Sequence, residues 1–453
     1  MIRIAVLLKF YRGEISPFDE AALECALETP DAEVTALAMA PLAAKEKLEY
    51  FTRLGVRRAI LLSDPAYAGS DTLATSKTLA EAVRRLKPDL VLCGRQSMDG
   101  DTAQVPPEVA QLLGMRFYPY ALEYGKTEIR TRLGEQKIVL PAVMSAERIR
   151  ILRFAGIRSK VTPAEVWNNA LLGLDPSQCG QKGSPTRVLE TYRNDRAERH
   201  CIFCEKDALA ALIEAGMQKN CIPAQSPQAT KKMRRIFVVG EDVAAAKGLA
   251  EQVIRLSDGS AEELAARLRE AGAEAVLFSA TLHNRVLAPQ IAAILGCGLA
   301  ADCIGLETDG KNLFCFRPAN SGGIVAKIAC DSVPAMATVR ECRVGGETMF
   351  CVGMGAKDEI SRIRRLANEY GAELCATRKV VDAGLMPYES QIGLTGRIVS
   401  PKVYFAFGVE GEVQHVAGME RSGTVIAINK NKNAKIFKYA DYGIAEDIRN
   451  VGL

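Results

Sequence analysis

Residues Pro387 to Gly443 read PYESQIGLTGRIVSPKVYFAFGVEGEVQHVAGMERSGTVIAINKNKNAKIFKYADYG, and this stretch decides the fold. Two apolar runs, Val403 to Phe407 and Thr424 to Ile428, predict buried parallel strands. Each leads into a polar turn, the first glycine-bearing and carrying Gln414 and His415 into a helix start. Open α/β sheets hold ligands at the carboxyl ends of their strands, so a nucleotide site is expected at these turns. Upstream, Gly353-Met354-Gly355 precedes a helical pattern of Ile360, Ile363, Leu366, Ala367 and Tyr370. Backbone N–H groups there would suit a phosphate, although a lone Gly-x-Gly by itself is more often a tight turn.

At 453 residues the chain is long enough for about three domains. Hydrophobic residues make up 48% and charged residues 25%, ordinary for a globular protein. The net charge of +4 is spread among mixed signs, which argues against nucleic acid or an anionic membrane as partner. No run of apolar residues is long enough to span a bilayer, and MIRIAVLLKF is too short in its apolar part for a signal peptide. The 13 cysteines are scattered and read as reduced thiols, with the cytoplasm as the expected compartment. Cys201-Ile202-Phe203-Cys204, preceded by His200, has no second pair and reads as packing rather than a metal or redox site.

An internal repeat divides the chain. VPPEVAQLLG from Val105 recurs as LAPQIAAILG from Leu287, each after a strand-like run (DLVLCG, EAVLFSA) and a polar loop. LPAVMSAERIR from Leu140 is echoed by VPAMATVRECR from Val333. Between the copies, KNCIPAQSPQATKK from Lys219 is a polar linker. The expected fold class is therefore α/β: two related, mostly parallel-sheet domains of nucleotide-binding type and a C-terminal doubly wound domain. The boundaries fall at 1–218, linker 219–232, 233–345 and 346–453. Gly345-Gly346 marks a hinge before the last domain.

The C-terminal block resembles the FAD domain of the electron-transfer flavoprotein α subunit, matching its QxGxTG, PxxYxAxG, QHxAGM, AIN and ADYG pieces in order. The first copy (SPFDEAA from Ser16, DTLATS from Asp71, CGRQSMDGDTAQV from Cys93, GSPTRVLETY from Gly183) resembles the β subunit, and the second copy the first domain of the α subunit. The resemblance implies a fused, FAD-containing electron carrier. It would take electrons from a partner dehydrogenase, acyl-CoA dehydrogenase-like or otherwise, and pass them to a quinone- or ferredoxin-linked acceptor. An electron-bifurcating flavoprotein with two FAD and NADH oxidation, and a flavin-free adenine-nucleotide-binding relative, are the alternatives.

By the same resemblance the FAD site comprises Gly353, Gly355, Thr377, Arg378, Gln391, Gly393, Thr395, Gly396, Gly408, Gly411, Gln414, His415, Asn429 and Asp441. Thr395 would lie near flavin N5, Arg378 near the ring, His415 at the pyrimidine end, and Asn429 and Asp441 toward the adenosine. The second site is the turn Asp99, Gly100, Asp101, Thr102, Gln104 and Val105, which in the family holds AMP, or the adenosine half of a second FAD in bifurcating members. Read alone, that turn is a helix cap whose carboxylates could bind ribose. The spelling departs from the family at Met354 (usually Arg), Glu410 and Glu412 (usually small) and Leu394 (usually Gln), and the segment from Lys9 to Ser16 is short. A carboxylate within about 4 Å of a phosphate costs roughly 4 kcal/mol at an effective dielectric near 20, so the two glutamates turn to solvent, are bridged by a cation, or leave FAD weakly or differently bound.

Overall fold

The computed structural model describes residues 1–125, 127–193, 198–217, 227–240, 243–320, 322–340, 342–343 and 347–451. Residues 219–226 of the expected linker and the Gly345-Gly346 pair lie outside the described residues. The chain forms two units: Met1–Thr191 with Pro227–Asn320 and Ala326–Val339, and Tyr192–Ser226 with Ser321–Val325 and Arg340–Leu453.

The first unit contains both copies of the repeat. One sheet orders its central strands Ala32–Met39, Ile2–Leu8, Leu90–Gly94, Ala142–Ala146, Arg116–Tyr124; the other runs Ala250–Leu256, Met233–Val239, Ala275–Ser279, Ala335–Val339, Leu299–Cys303. Every pairing in these two series is parallel. Strands covered on both faces must be apolar throughout, which is why LVLCG and AVLFS carry no alternation. The last strand of each series slips in register against its neighbour and holds one residue at positive φ, Tyr120 and Asp302, both at 56°. The helices Val105–Leu113 and Asn284–Leu295 both stop on a left-handed glycine, Gly114 or Gly296. They pack against each other, so the two copies share one body. A further sheet, Thr186–Arg193, Ile324–Cys330, Leu313–Ala319, Gly305–Thr308, Gln228–Ala229, lies beside the second series.

Under the helix Val105–Leu113 sits a carboxyl group cut off from water. Glu108 is 1% exposed and accepts from Ser76 Oγ at 2.7 Å and Thr72 Oγ1 at 3.2 Å, both on the helix Thr72–Leu86. Burial, more than these two hydroxyls can offset, pushes its pKa up to about 8. The folded chain therefore holds a proton that the unfolded chain releases near the ordinary glutamate value. The stability from this group is complete below that value and is lost as pH rises from about 4.5 toward about 8. Glu108→Gln is expected to gain on the order of a few kcal/mol over the parent at pH 8.5 and little at pH 4.5. Denaturant unfolding at the two pH values measures it, and an equal effect at both would contradict a buried neutral carboxyl.

The second unit is built on six parallel strands in the order Ile202–Phe203, Tyr442–Ile444, Thr424–Ile428, Val403–Phe407, Thr348–Val352, Glu373–Ala376. Apart from the edge strand Ile202–Phe203, the C-terminal strands follow the doubly wound order 2-1-3-4-5. Side chains alternate across the sheet. Phe350, Phe405, Phe407, Ile426 and Ile428 face one core layer, with Phe350 edge-on to Phe405 at 5.0 Å and to Phe407 at 5.3 Å. Met349, Cys351, Tyr404, Ala406, Val425 and Ala427 face the other.

The edge strand comes from the N-terminal portion expected to end at residue 218, so residues 198–217 belong with the C-terminal sheet. Ile202 N donates to Asp441 O at 2.9 Å and Cys204 N to Gly443 O at 2.8 Å. Leu212 and Ile213 of the helix Leu209–Met217 enter the same core as Phe405. Arg199 ties the segment down through Asp441 Oδ2 at 2.5 Å and Ser422 O at 2.6 Å. The strand also settles the cysteine pair: Cys201 packs into one layer of the sheet and Cys204 into the other.

Candidate functional site

In a 2-1-3-4-5 sheet the chain turns to opposite faces between the first and third strands, and a crevice opens beyond their carboxyl ends. Here those strands are Thr348–Val352 and Val403–Phe407, followed by Gly353-Met354-Gly355 and Gly408 to Glu412. The two turns touch backbone to backbone. Gly353 N donates to Phe407 O at 2.8 Å and Gly355 N to Gly408 O at 3.1 Å. A Cβ on Gly353 would lie 2.3 Å from Gly408 O, and one on Gly408, itself at φ 61°, 2.5 Å from Ala356 N. Only glycine permits this approach.

The next strand, Glu373–Ala376, delivers Thr377, whose N–H donates to Val352 O at 2.9 Å, and Arg378, which pairs with Asp382 at 3.1 Å. Gln391 to Gly396 forms a tight loop beside it. Gly396 N donates to Gly393 O at 2.9 Å and Arg397 N to Gln391 O at 2.8 Å, while Gln391 Nε2 donates to Thr395 Oγ1 at 2.8 Å. This loop lies on the turn of helix carrying Gln414 and His415: Leu394 N donates to Gln414 O at 2.7 Å, and a Cβ on Gly393 would meet Gln414 O at 2.8 Å. Gly411, at φ 90°, lies against Ile436 N. Asn429, just past the fourth strand, donates through Nδ2 to Val409 O at 2.8 Å and so fastens the third strand's turn.

All of these gather at one end of the sheet. Asp441 does not. It precedes the last strand, where its carboxylate accepts from Val425 N at 2.8 Å and pairs with Arg199, at the amino ends of the strands. The acidic residues beyond the carboxyl end of that strand are Glu446 and Asp447, which the sequence reading passed over; the motif ADYG drew attention to the other end.

His415 is buried. Its Nδ1 must donate to Ile392 O at 3.3 Å, because a carbonyl only accepts, and Nε2 lies 3.1 Å from Tyr404 OH. Both ring nitrogens thus have protein partners, and a contact of this imidazole with a ligand would replace one of them. Glu410 is exposed, and Glu412 pairs with Lys435 at 3.2 Å, which supplies the cation the sequence allowed for. Two features fit a dinucleotide here. The glycine turns, bare of side chains, leave room for a pyrophosphate to lie against the backbone, the N–H groups of Gly353 and Gly355 being already bonded within the turns. Gln391, 1% exposed, keeps Oε1 buried without a hydrogen-bond partner among the described residues.

The second candidate site lies in the first unit, beyond the strand Leu90–Gly94. Asp99 accepts from Lys9 Nζ at 2.8 and 2.9 Å, Asp101 from Gln96 Nε2 at 3.0 Å, and Gln104 joins Thr72 Oγ1 at 2.9 Å to Leu299 O at 2.9 Å. Burial alone would raise Asp99, but the Lys9 ammonium and nearby hydrogen bonds hold it below the ordinary aspartate value. Asp101 and Ala103 stand at positive φ, Gly100 and Thr102 lie between and beside them, and Val105 begins the helix. Asp19 was also missed. It bridges the ends of two strands, accepting from Lys9 N and Gly94 N, both at 3.2 Å, and burial pushes it up to about 7. The helix start SPFDEAA was the available signal.

A protein with a doubly wound unit that gathers glycine turns at its switch point, and a second parallel-sheet unit with an acidic turn before a helix, is of the nucleotide-binding α/β class. Sequence comparison narrows the class to a family. Residues 4–132 and 237–344 match the electron transfer flavoprotein domain, and residues 346–420 the electron transfer flavoprotein FAD-binding domain. The chain belongs to the electron transfer flavoprotein family, and its C-terminal unit carries that family's FAD-binding domain.

It is 36% identical over 242 residues to an electron transfer flavoprotein subunit alpha of Thermoanaerobacterium thermosaccharolyticum, covering 43% of this chain and 73% of the relative. It is also 36% identical over 197 residues to a subunit beta of Clostridium acetobutylicum, covering 38% and 73%. A third relative, 36% identical over 196 residues and covering 39% and 75%, is the caffeyl-CoA reductase-Etf complex subunit CarD of Acetobacterium woodii. Similarity to both subunit types within one chain accords with the repeated unit. Among the described residues no helix is long and apolar enough to cross a membrane.

Because the two turns meet through backbone, Gly408→Ala is expected to cost on the order of 2–4 kcal/mol and to empty the FAD site. Thermal unfolding together with flavin absorbance per chain measures both effects. A variant with parental stability and flavin content would show that the turns separate freely.

Proposed function

We propose that the chain is a single-polypeptide electron carrier whose FAD lies at the switch point of the second unit, with an adenine nucleotide held by Asp99 to Val105 in the first. The observation that carries this reading is the convergence of Gly353, Gly355, Gly408, Gln391, Thr395 and Asn429 at the carboxyl ends of one parallel sheet. FAD, when bound, supplies the one- and two-electron chemistry. The residues bind and orient it: the glycine turns take the pyrophosphate, Gln391 and Thr395 a polar edge of the ring, and Asn429 the adenosine side. The nucleotide of the first unit is AMP or the adenosine half of a second FAD. The domain division near residues 219–232 and 345 is proposed with it.

Electrons would come from a partner dehydrogenase or reductase. One relative's name joins it to a caffeyl-CoA reductase complex, which favours a redox partner acting on an acyl-CoA-type substrate. What supports a protein partner is a segment of the first unit on which Ile151, Phe154 and Ile157 are 89%, 94% and 100% exposed among Arg150, Arg153, Arg158 and Lys160. Apolar side chains in so dense an exposed group mark contact with another protein.

FAD titrated into nucleotide-free protein is expected to saturate at one per chain with a micromolar or tighter Kd; absence of saturable binding would remove the redox reading. Reduction by NADH alone, with two FAD per chain, would favour bifurcation. Lys435→Ala, which leaves Glu412 without its cation, is expected to weaken FAD binding about 3- to 10-fold, less at high salt. Unchanged affinity at low salt would place Glu412 away from the phosphates.

A further inference from the structure

The helix Val105–Leu113 opens with an unusual deficit. Its second and third residues, Pro106 and Pro107, have no N–H, which leaves Val105 as the donor of the first turn without a partner among the described residues; Glu108 N is bonded to Gln104 O at 3.1 Å. The turn before it is arranged for an anion, with Asp101 and Ala103 at positive φ around Thr102, yet it carries two carboxylates. A phosphate settling there would meet two like charges and a helix start short of two donors. Lys9, the cation at the turn, is taken up by Asp99 at 2.8 and 2.9 Å, so a phosphate calls for a second positive charge.

The second copy of the repeat supplies it. Arg317, on the strand Leu313–Ala319, is 5% exposed. Its Nε donates to Ala301 O at 2.9 Å, while Nη2, shielded from water, has no hydrogen-bond partner among the described residues. The neighbouring strand is the one that Gln104 braces, through Leu299 O. Three residues after Arg317, Asn320 N donates to Asp99 O at 2.8 Å, so this strand ends on the acidic turn itself, and Tyr11 OH closes the same corner on Asn320 Oδ1 at 3.3 Å. Burial lowers the guanidinium pKa, and Asp302, Asp101 and Asp99 act in the opposite sense, which puts both carboxylates of the turn within electrostatic reach. An arginine in such a place is still charged, and its unused N–H groups carry a desolvation penalty that an anion would relieve.

We propose that Arg317 is the phosphate ligand of the nucleotide site in the first unit, so that one repeat copy holds the nucleoside and the other the 5′-phosphate. The inference rests on the nucleotide reading of Asp99 to Val105. It makes the site selective for adenosine carrying a 5′-phosphate, free or as part of a dinucleotide, over adenosine. A guanidinium donating to a phosphate also explains why a helix with two early prolines is tolerated at an anion site.

The test uses the full chain freed of nucleotide, titrated calorimetrically with AMP and with adenosine, with flavin per chain as a folding control in the other unit. The parent is expected to prefer AMP to adenosine about 10- to 100-fold, and Arg317→Met to lose that preference while binding adenosine as before and keeping its FAD. Arg317→Gln, which keeps a buried donor without the charge, serves if the methionine variant is unstable, and the same loss is expected. AMP binding undiminished in either folded variant would overturn the role of Arg317. Failure of the parent to bind AMP, adenosine or a second FAD would remove the site itself, a separate outcome. If the parent carries two FAD per chain and the variant one, the phosphate belongs to a dinucleotide and the assignment stands.

Discussion

The second unit depends on one close contact, the backbone of Gly353 and Gly355 against Gly408. Parallel strands bring their carboxyl ends together, and there the chain must leave the sheet in opposite directions without side chains between the turns. The contact is possible because three glycines occupy it, and it sets the positions of Asn429 and Thr377, each hydrogen-bonded to backbone of the neighbouring strand or turn. The Gln391 loop is then held between the second strand and the His415 turn. The binding end of the sheet is thus rigid before any ligand arrives, so little ordering entropy remains to be lost on binding.

Much of this was legible in the sequence, and for identifiable reasons. The runs VYFAF and TVIAI are apolar but for Thr424, as a strand covered on both faces requires, and the polar turns after them, the first carrying glycine, mark the ends where ligands bind. The repeat was legible because helix and terminating glycine recur together. What escaped was long-range. Nothing local in Arg199 to Phe203 shows that it completes a sheet whose other strands begin near residue 348, because an edge strand of two residues carries no periodicity. Asp441 was misplaced for a similar reason: a motif fixes a residue's neighbours in sequence, and the end of the sheet it occupies is decided by where the strand begins. The pairing of Glu412 with Lys435 spans two turns and could be allowed for on charge grounds but not located.

The first unit shows how duplication distributes labour. Both copies keep the same strand order and the same helix stop, yet only the first retains the acidic turn, while the second turns its corresponding strands into support for it. Carboxyl groups collect at that junction. Asp19 and Glu108 are both buried and raised, and each closes a gap between elements that apolar side chains could not reach without leaving backbone N–H or hydroxyl groups unbonded.

The origin of the edge strand has a consequence for synthesis. Ile202 and Phe203 leave the ribosome long before Tyr442 to Ile444, the strand they pair with. At about 5–20 residues per second that interval is roughly 10 to 50 s, during which an apolar segment with open hydrogen-bonding groups waits for its sheet. The first unit can begin to form from its early strands in that time, but the C-terminal unit cannot close until translation is almost finished. A chain interrupted after residue 440 would therefore expose Leu212, Ile213 and the unfinished edge together, a form suited to capture by chaperones or to aggregation.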